Sequence, residues 1–555
     1  MHQPATACQD ACTGVRGNNH IMNARVIEHH TDIVIIGFGG AGACAAIAAH
    51  EKGAPSIILE KQPEATHASN TRMSGGGFHS PAPDGDYESI KAYAKAMFSG
   101  ENLPQVVEGA QPEFSDALAD AWARYAPQNE AFMNSLDPQF KTFISLGAAF
   151  ENFPGVDKAK YACIRSTYKG EAYEAGETER VSGAKKEDKE SGEAFHTCLV
   201  TGIKSRNIPV HYETAAESLL VDDATGEVTG VIAEHNGQKV TYHARRAVII
   251  CSGGYEYNVK MRKAFLDGPG HQGWAFYGTP ANTGDGIRMA LKVGAAMAKA
   301  GSVAGRVIMA IPERRHDIKI GLNTSSVGKP NEIVVDNRGT RYAAERRITK
   351  DPSRYIFWKE AMLFDTEKLE YPRIPSWMIF DSKLMNSGAI INIGAAAYIG
   401  IEWDKANQNA LNKGWILQGA TIAELAAKIR AHPENRESMD AAALQAQVKR
   451  WNEYCAAGRD EEWNADPKTM GKLTEPPFYA IPLYPGGPNT KGGIRANPRR
   501  EVLDWDDEPI PRLYTAGEVS SVFQFVYQGG GNLAECIVFG RIAGWNAAAE
   551  KPRAG

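Results

Sequence analysis

The segment TDIVIIGFGGAGACAAIAAHEKGAPSIILEK, residues 31–61, admits few folds. Asp32 to Ile36 is a short apolar run, as in a strand covered on both faces. Gly37, Gly39 and Gly42 then form a G-x-G-x-x-G turn. An alanine-rich helix follows and stops at Gly53, and a second apolar strand, Ser56 to Leu59, ends in Glu60. Each part has a job in a βαβ unit that holds a dinucleotide. Gly37 allows the tight turn, Gly39 lets backbone approach a pyrophosphate, and Gly42 lets helix and strand pack closely. Gly40 and Ala41 open the helix, whose unpaired N–H groups and positive dipole end suit phosphates. Glu60, 18 residues beyond Gly42, can accept hydrogen bonds from a ribose, and Lys61 follows it. G-x-G-x-x-G alone is weak evidence. Strand, turn, helix, strand and acid in this order make it strong.

The stretch SNTRMSGGGFHS, residues 69–80, decides which dinucleotide is expected. Ser69, Asn70, Thr71 and Ser74 bring hydroxyls and an amide, and Gly75, Gly76 and Gly77 bring bare backbone. A nicotinamide enzyme rarely needs this second loop. A flavin nucleotide does, because its ring lies far from its adenine. The bland alternative is a solvated Gly/Ser loop.

Composition excludes several classes. A chain of 555 residues with 43% hydrophobic and 23% charged residues builds a large core. A net charge of −5 gives no hint of nucleic acid or of an anionic membrane. The eight cysteines form no CxxC pair and no iron–sulfur or haem motif, which predicts reduced thiols and a cytoplasmic setting. No metal site, membrane span or signal peptide is expected. Residues 1–22 read as a disordered polar tail, with Met22 a candidate start. The charged stretch 170–195 reads as a solvated loop or an active-site flap.

Further motifs occur in a recognisable order: AVIICSGGYEYN (247–258), NTGDGIRMALKVGA (282–295), VVDNRGTRYAAE (334–345), PRLYTAGEVSS (511–521) and VFGRIAG (538–544). With the glycine turn they resemble the flavoprotein superfamily of fumarate reductase, succinate dehydrogenase and the 3-ketosteroid dehydrogenases. The resemblance spans roughly residues 31 to 550. It implies an α/β fold: a Rossmann-like FAD-binding domain of the glutathione-reductase type, with an inserted α+β substrate-capping domain. By that analogy residues 23–303 and 480–555 form the FAD part and 304–479 the cap. It also implies FAD contacts from Ala216, Ser252, Gly253, Gly254, Asn282, Thr283, Gly284, Asp285, Gly517, Glu518, Asn532 and Leu533. Members that attach flavin covalently carry a histidine six positions before the glycine pair. Here that position, counted from Gly75, is Ser69. Noncovalent FAD is therefore expected, with His67 and His79 packing or hydrogen-bonding.

Fumarate reductases bind two carboxylates with cationic groups, and three of those positions hold Gln528, Thr349 and Pro488 here. Arg346, Arg347 and Lys350 lie nearby, and a surface-facing basic run is the simpler reading of them. The ketosteroid 1-dehydrogenases instead carry Tyr-x-Gly-x-Gly, which Tyr527, Gly529 and Gly531 reproduce in FVYQGGGN. In that family the tyrosine hydroxyl and the last glycine's N–H point at the substrate carbonyl. Two such donors would stabilise enolate charge as an oxyanion hole does. A tyrosine ahead of a glycine-rich helix start can equally be packing. The helix opened by Asn532 and Leu533 would direct its dipole at the flavin. The resemblance also asks for a base tyrosine after Glu345, and the next one is Tyr355. Tyr342 fills the aromatic slot and is expected to pack.

The expected function is FAD-dependent introduction of a C=C bond next to a ketone of an apolar cyclic substrate, with electrons leaving to an external acceptor. The alternative is a flavin reductase of an unsaturated carboxylate. A third class, a noncatalytic flavin-binding protein, fits the substrate-domain motifs least.

Overall fold

The computed structural model describes residues 27–101, 103, 114–146, 153–169, 188–346 and 355–553. The expected tail, Thr349 and most of the charged stretch 170–195 lie outside the described residues. The end of that stretch is neither loop nor flap. Asp188–Glu190 is a strand, and Ser191–Lys204 is a helix whose buried Glu193 pairs with buried Arg72 at 2.9 Å.

Strand β1 (Ile27–Ile36), helix α1 (Gly40–Glu51) and strand β2 (Ser56–Leu59) form the expected unit. β1 pairs in parallel with β2, Ile33 opposite Ser56 and Ile36 opposite Leu59, and on its other side with Gln238–Ile250. Pro509–Thr515 adds in parallel beyond that, so chain ends 480 residues apart in sequence meet in one sheet. The inner half of β1 is buried on both faces, which is why it reads as unbroken apolar sequence. Val228–His235 and Thr214–Val221 extend the sheet antiparallel. The final helix, Gly531–Ala549, lies against α1. A Cβ on Gly540 would stand 2.7 Å from Ala41 O, and one on Gly544 would overlap Ala45 O, so glycine sets the close approach.

A second, seven-stranded sheet lies mostly within 304–479, the part expected to be the cap. Its central strand is Phe478–Gly487, flanked by Arg306–Arg315 and Ser376–Phe380. That strand runs on past the expected boundary at 480, and Ala275–Phe276 pairs with its end. Inside the cap, fully buried Arg341 meets Glu345 at 3.1 Å and Asp460 at 3.0 Å, and lies 4.4 Å over the Trp451 ring. Tyr342 packs as expected: it stacks on Phe357 and bonds Ser376 at 2.7 Å.

The two connections between the sheets run side by side. Ser302–Val303 pairs antiparallel with Thr490–Lys491, and Ala304 N–H donates to Asn489 O at 3.0 Å. No helix among the described residues is long and apolar enough to cross a membrane.

Candidate active site

One long cleft runs from the start of α1 to the interface with the cap sheet. At its first end lie Gly37, Gly39, Gly40 and Ala41. Gly37 has φ +101° and a Cβ there would stand 2.5 Å from Cys251 O, so the turn requires glycine. A Cβ on Gly39 would meet only Thr71 Oγ1, at 3.8 Å, so this side of the turn faces open space. Gly42 does not line the cleft; a Cβ there would overlap Gly37 O, which is the close packing expected of it. Gly40 N–H donates to Thr71 Oγ1 at 2.9 Å, which ties the second loop to the helix start.

Glu60 is buried at the end of β2. Its carboxylate accepts from Phe38 N–H at 3.0 Å and Gln62 N–H at 2.9 Å, and His67 Nε2 lies 3.5 Å away. Burial pushes its pKa up, but His67 and the two N–H groups outweigh that and hold it below the usual range. It is an ionised acceptor, as a ribose contact requires. Lys61 donates to Thr283 Oγ1 at 2.8 Å and Asp285 Oδ2 at 2.7 Å, closing the same end.

The second loop forms part of the cleft wall. Ser69 caps the short helix Asn70–Met73, and Asn70, Thr71, Ser74 and Gly75–Gly77 line the cleft with it. Asn70 Nδ2 donates to Glu518 Oε2 at 3.0 Å. Glu518 is half-buried beside Glu256; desolvation first, and the second carboxyl next, push its pKa well above the usual range. Ala216, Ser252, Gly253, Asn282, Asp285, Asn532 and Leu533 complete the wall. Thr283, Gly254, Gly284 and Gly517 stand behind it. Gly254 O accepts Gly284 N–H at 3.0 Å, and a Cβ on Gly517 would lie 2.7 Å from Ala41 Cβ. These support the wall without facing the cleft.

At the far end Tyr527, Tyr277, Arg165, Arg306, Cys163, Pro488, Gly529 and Gly530 line the cleft. His79, buried and held neutral with its pKa lowered to about 4 by burial, meets Gly529 O at 3.0 Å. It thus props the glycine turn, in agreement with a hydrogen-bonding rather than a covalent role. Burial raises the Tyr527 pKa, with Arg306 and the Gly530 N–H opposing. A phenol kept protonated is suited to donate a hydrogen bond and not to serve as a base.

Gly531 departs from expectation. Gly530, at φ +98°, turns the chain into the final helix, and Gly531 N–H closes that turn on Gln528 O at 2.9 Å. Its amide is spent there, and Gly531 does not line the cleft. The glycine is needed for packing, since a Cβ would stand 2.7 Å from the Phe523 ring. Tyr355 opens the helix Tyr355–Ala361, which packs on the cap strand Arg306–Arg315; its side chain lies outside the described residues.

Sequence reasoning missed Arg165, Tyr277, Arg306 and Lys491. Lys491 is fully buried, bonds Asn532 Oδ1, and lies 4.5 Å over the Phe523 ring and 4.7 Å over that of Tyr527. Burial lowers its pKa to about 8, against the pull of Glu535 and Glu518. The segment NTKGG, residues 489–493, carries the signal, a lysine set between a polar pair and two glycines.

The cleft fits FAD. Gly39 offers an open approach beside a helix N-terminus, Glu60 an ionised acceptor, and the buried Ser252 Oγ has no hydrogen-bond partner among the described residues.

Comparison with known proteins agrees. The family described as "FAD binding domain" matches residues 32–533. A 3-oxosteroid 1-dehydrogenase of Mycolicibacterium smegmatis is 25% identical, covering 93% of this chain and 97% of its own. A fumarate reductase (cytochrome) of Shewanella frigidimarina is 26% identical over 93% of this chain and 77% of its own. In fold, the chain resembles the 3-ketosteroid delta1-dehydrogenase of Sterolibacterium denitrificans, solved in complex with 1,4-androstadiene-3,17-dione. The TM-score is 0.74 at 22% identity, over 94% of this chain and all of that one.

Proposed function

The chain belongs to the flavoprotein family built on this FAD binding domain, and on that premise we propose that it dehydrogenates a ring ketone, placing a C=C bond α,β to the carbonyl. At the coarser level it is an FAD-dependent oxidoreductase acting on CH–CH bonds. The observation that carries the finer reading is Tyr527. It is a protonated phenol, facing the cleft from a turn propped by His79. Its O–H donates to the substrate carbonyl as enolate charge develops. A donor of this kind contributes on the order of 3 kcal/mol.

The remaining steps follow from the bond change. A base removes the α-proton, the β-carbon gives up a hydride, and the C=C bond forms from the α-carbon's electron pair. FAD, when bound, supplies the hydride acceptor, and an external acceptor takes the two electrons. Tyr355 is the candidate base by resemblance. Tyr277 is a second, since it lines the cleft beside Tyr527. Glu60, Lys61 and the start of α1 would hold the nucleotide end of FAD, and the Gly75–Gly77 loop and Asn532 would flank its flavin. We place the enzyme in the cytoplasm, in keeping with the free thiols of the described cysteines.

The second reading is reduction of an unsaturated carboxylate. Arg165 and Arg306 favour it; Gln528 and Pro488, where cationic or proton-handling groups are expected, oppose it. An air-free assay separates the two. Dye reduction driven by 3-ketosteroids, with negligible fumarate reduction by a reduced dye, is expected. Fumarate turnover above ~1 per second, an ordinary enzymatic rate, with no ketone oxidation would select the second reading.

A further inference from the structure

We propose that Glu28, His30 and His243 form a zinc site that fastens the outer half of β1 to the neighbouring strand. It is independent of the chemistry of the cleft. Glu28 and His30 lie two residues apart on β1, and His243 lies on Gln238–Ile250, directly opposite His30 in the parallel ladder. Side chains alternate across a sheet, so all three stand on one face. The two imidazoles stack, with ring centroids 4.6 Å apart and planes 14° from parallel. Both present Nε2 to the same carboxylate oxygen: His30 Nε2 lies 4.0 Å and His243 Nε2 3.8 Å from Glu28 Oε2. The three ligand atoms all lie within 4.8 Å of one another.

These gaps are too long for hydrogen bonds. They are close to what a cation needs, since bonds of about 2.0–2.2 Å to tetrahedral zinc hold its ligand atoms about 3.4 Å apart. Glu28 and His30 are exposed and His243 is half-buried, so small side-chain rotations cover the difference. Neighbouring cations do not compete for the carboxylate. On the same strand as His243, Lys239 is held by Glu217 and Glu234, and Arg245 by Asp32 at 2.5 Å. Among the described residues, Glu28 has no ion-pair partner but the two histidines. Two imidazole nitrogens and one carboxylate suit zinc, whereas magnesium and calcium prefer oxygen throughout. The glycine turn lies at the other end of β1, roughly 20 Å away at the rise of a strand. The cation would therefore act on the fold and not on the nucleotide. The ladder shifts register between Thr31 and Ile33, which sets residues 27–31 apart as an outer segment. Its first four residues are mostly exposed, so apolar burial does little to hold it.

The test titrates zinc into FAD-loaded, chelator-washed enzyme against a chromogenic zinc indicator. One equivalent should bind with a Kd on the order of micromolar, weaker than a closed four-ligand site. Glu28→Gln, His30→Gln and His243→Gln should each weaken that binding by about tenfold or more, since loss of even an outer partner of a ligand costs about 10–100-fold. Zinc should raise the melting temperature of the wild type and not that of His243→Gln, because a ligand that binds only the native state stabilises it. Zinc held at wild-type strength by all three variants would place it elsewhere and overturn the proposal. No saturable binding below about 0.1 mM zinc, a hundredfold above the expected Kd, would also overturn it. Weakening in the two histidine variants but not in Glu28→Gln would overturn the three-ligand site.

Discussion

The Lys491 ammonium lies 4.7 Å from the centroid of the Tyr527 ring, and the same nitrogen reaches Asn532 in the first turn of the final helix. One buried cation thus touches both the proposed enolate donor and the helix end proposed to face the flavin. A cation held over a tyrosine ring draws electron density from it and strengthens its O–H as a donor. The pKa of Lys491, lowered to about 8, places this effect within reach of ordinary buffers. As pH rises through about 8, Lys491 loses its proton and the donor weakens. The kcat profile should therefore fall on the alkaline side with an apparent pKa near 8. Lys491→Met should be slower at pH 7 and should lack that limb. A variant with the wild-type profile would show that Lys491 only fills space.

Two glycines of the same turn should fail differently. Gly39→Val adds side-chain atoms to open cleft, so the protein should fold normally and purify without colour. Gly42→Val drives a Cβ into Gly37 O, so it should lose stability as well as FAD. Absorbance at 450 nm against 280 nm, together with thermal melts, separates the two. A yellow Gly39→Val protein would contradict the phosphate assignment.

The cap should depend on Arg341. It is fully buried and neutralises Glu345 and Asp460, which gain nothing from water if it is removed. Arg341→Met should cost about 3–5 kcal/mol, the usual effect of stranding a buried charge. A loss below ~1 kcal/mol in urea denaturation would mean that the cluster is hydrated or replaceable.

Acid should destabilise the fold partly through His79. Its folded pKa is lowered to about 4, below the ordinary value of about 6.5. Between those pH values the unfolded chain binds a proton that the native imidazole refuses. Its contribution is therefore fully present above about 6.5 and is lost as pH falls, by roughly 1.4 kcal/mol per unit. His79→Gln keeps a donor for Gly529 O and should flatten this slope. Stability curves for wild type and variant that run parallel from pH 6.5 to 4 would rule the histidine out.

What was legible in the sequence was local. Gly37 to Glu60 is one continuous βαβ unit, and its periodicity, turn and terminal acid could be read without knowing any neighbour. The Asn70–Gly77 loop was legible for the same reason. What was missed depends on meetings across the chain. Lys491 sits 36 residues before Tyr527, and only the pairing of Ser302–Val303 with Thr490–Lys491 brings it under that ring. Arg165 and Arg306 lie on strands of separate sheets, and nothing local marks either as a cleft residue. Gly531 shows a subtler limit. Its place in the Tyr-x-Gly-x-Gly pattern could be read, but the direction of its N–H follows from Gly530 at φ +98°. The expected boundary at 480 failed to anticipate the Phe478–Gly487 strand, because a central apolar strand looks alike in either domain.

The central claim is tested most directly by Tyr527→Phe, assayed with a 3-ketosteroid and a dye acceptor without air. The change keeps the ring, its contact with Lys491 and the shape of the cleft, and it removes only the O–H. FAD content should stay normal, and kcat should fall by roughly 100-fold or more, the usual effect of losing an oxyanion donor. A Tyr527→Phe enzyme with wild-type kcat would contradict the account, leaving Tyr527 as a packing residue on a flavin-facing turn.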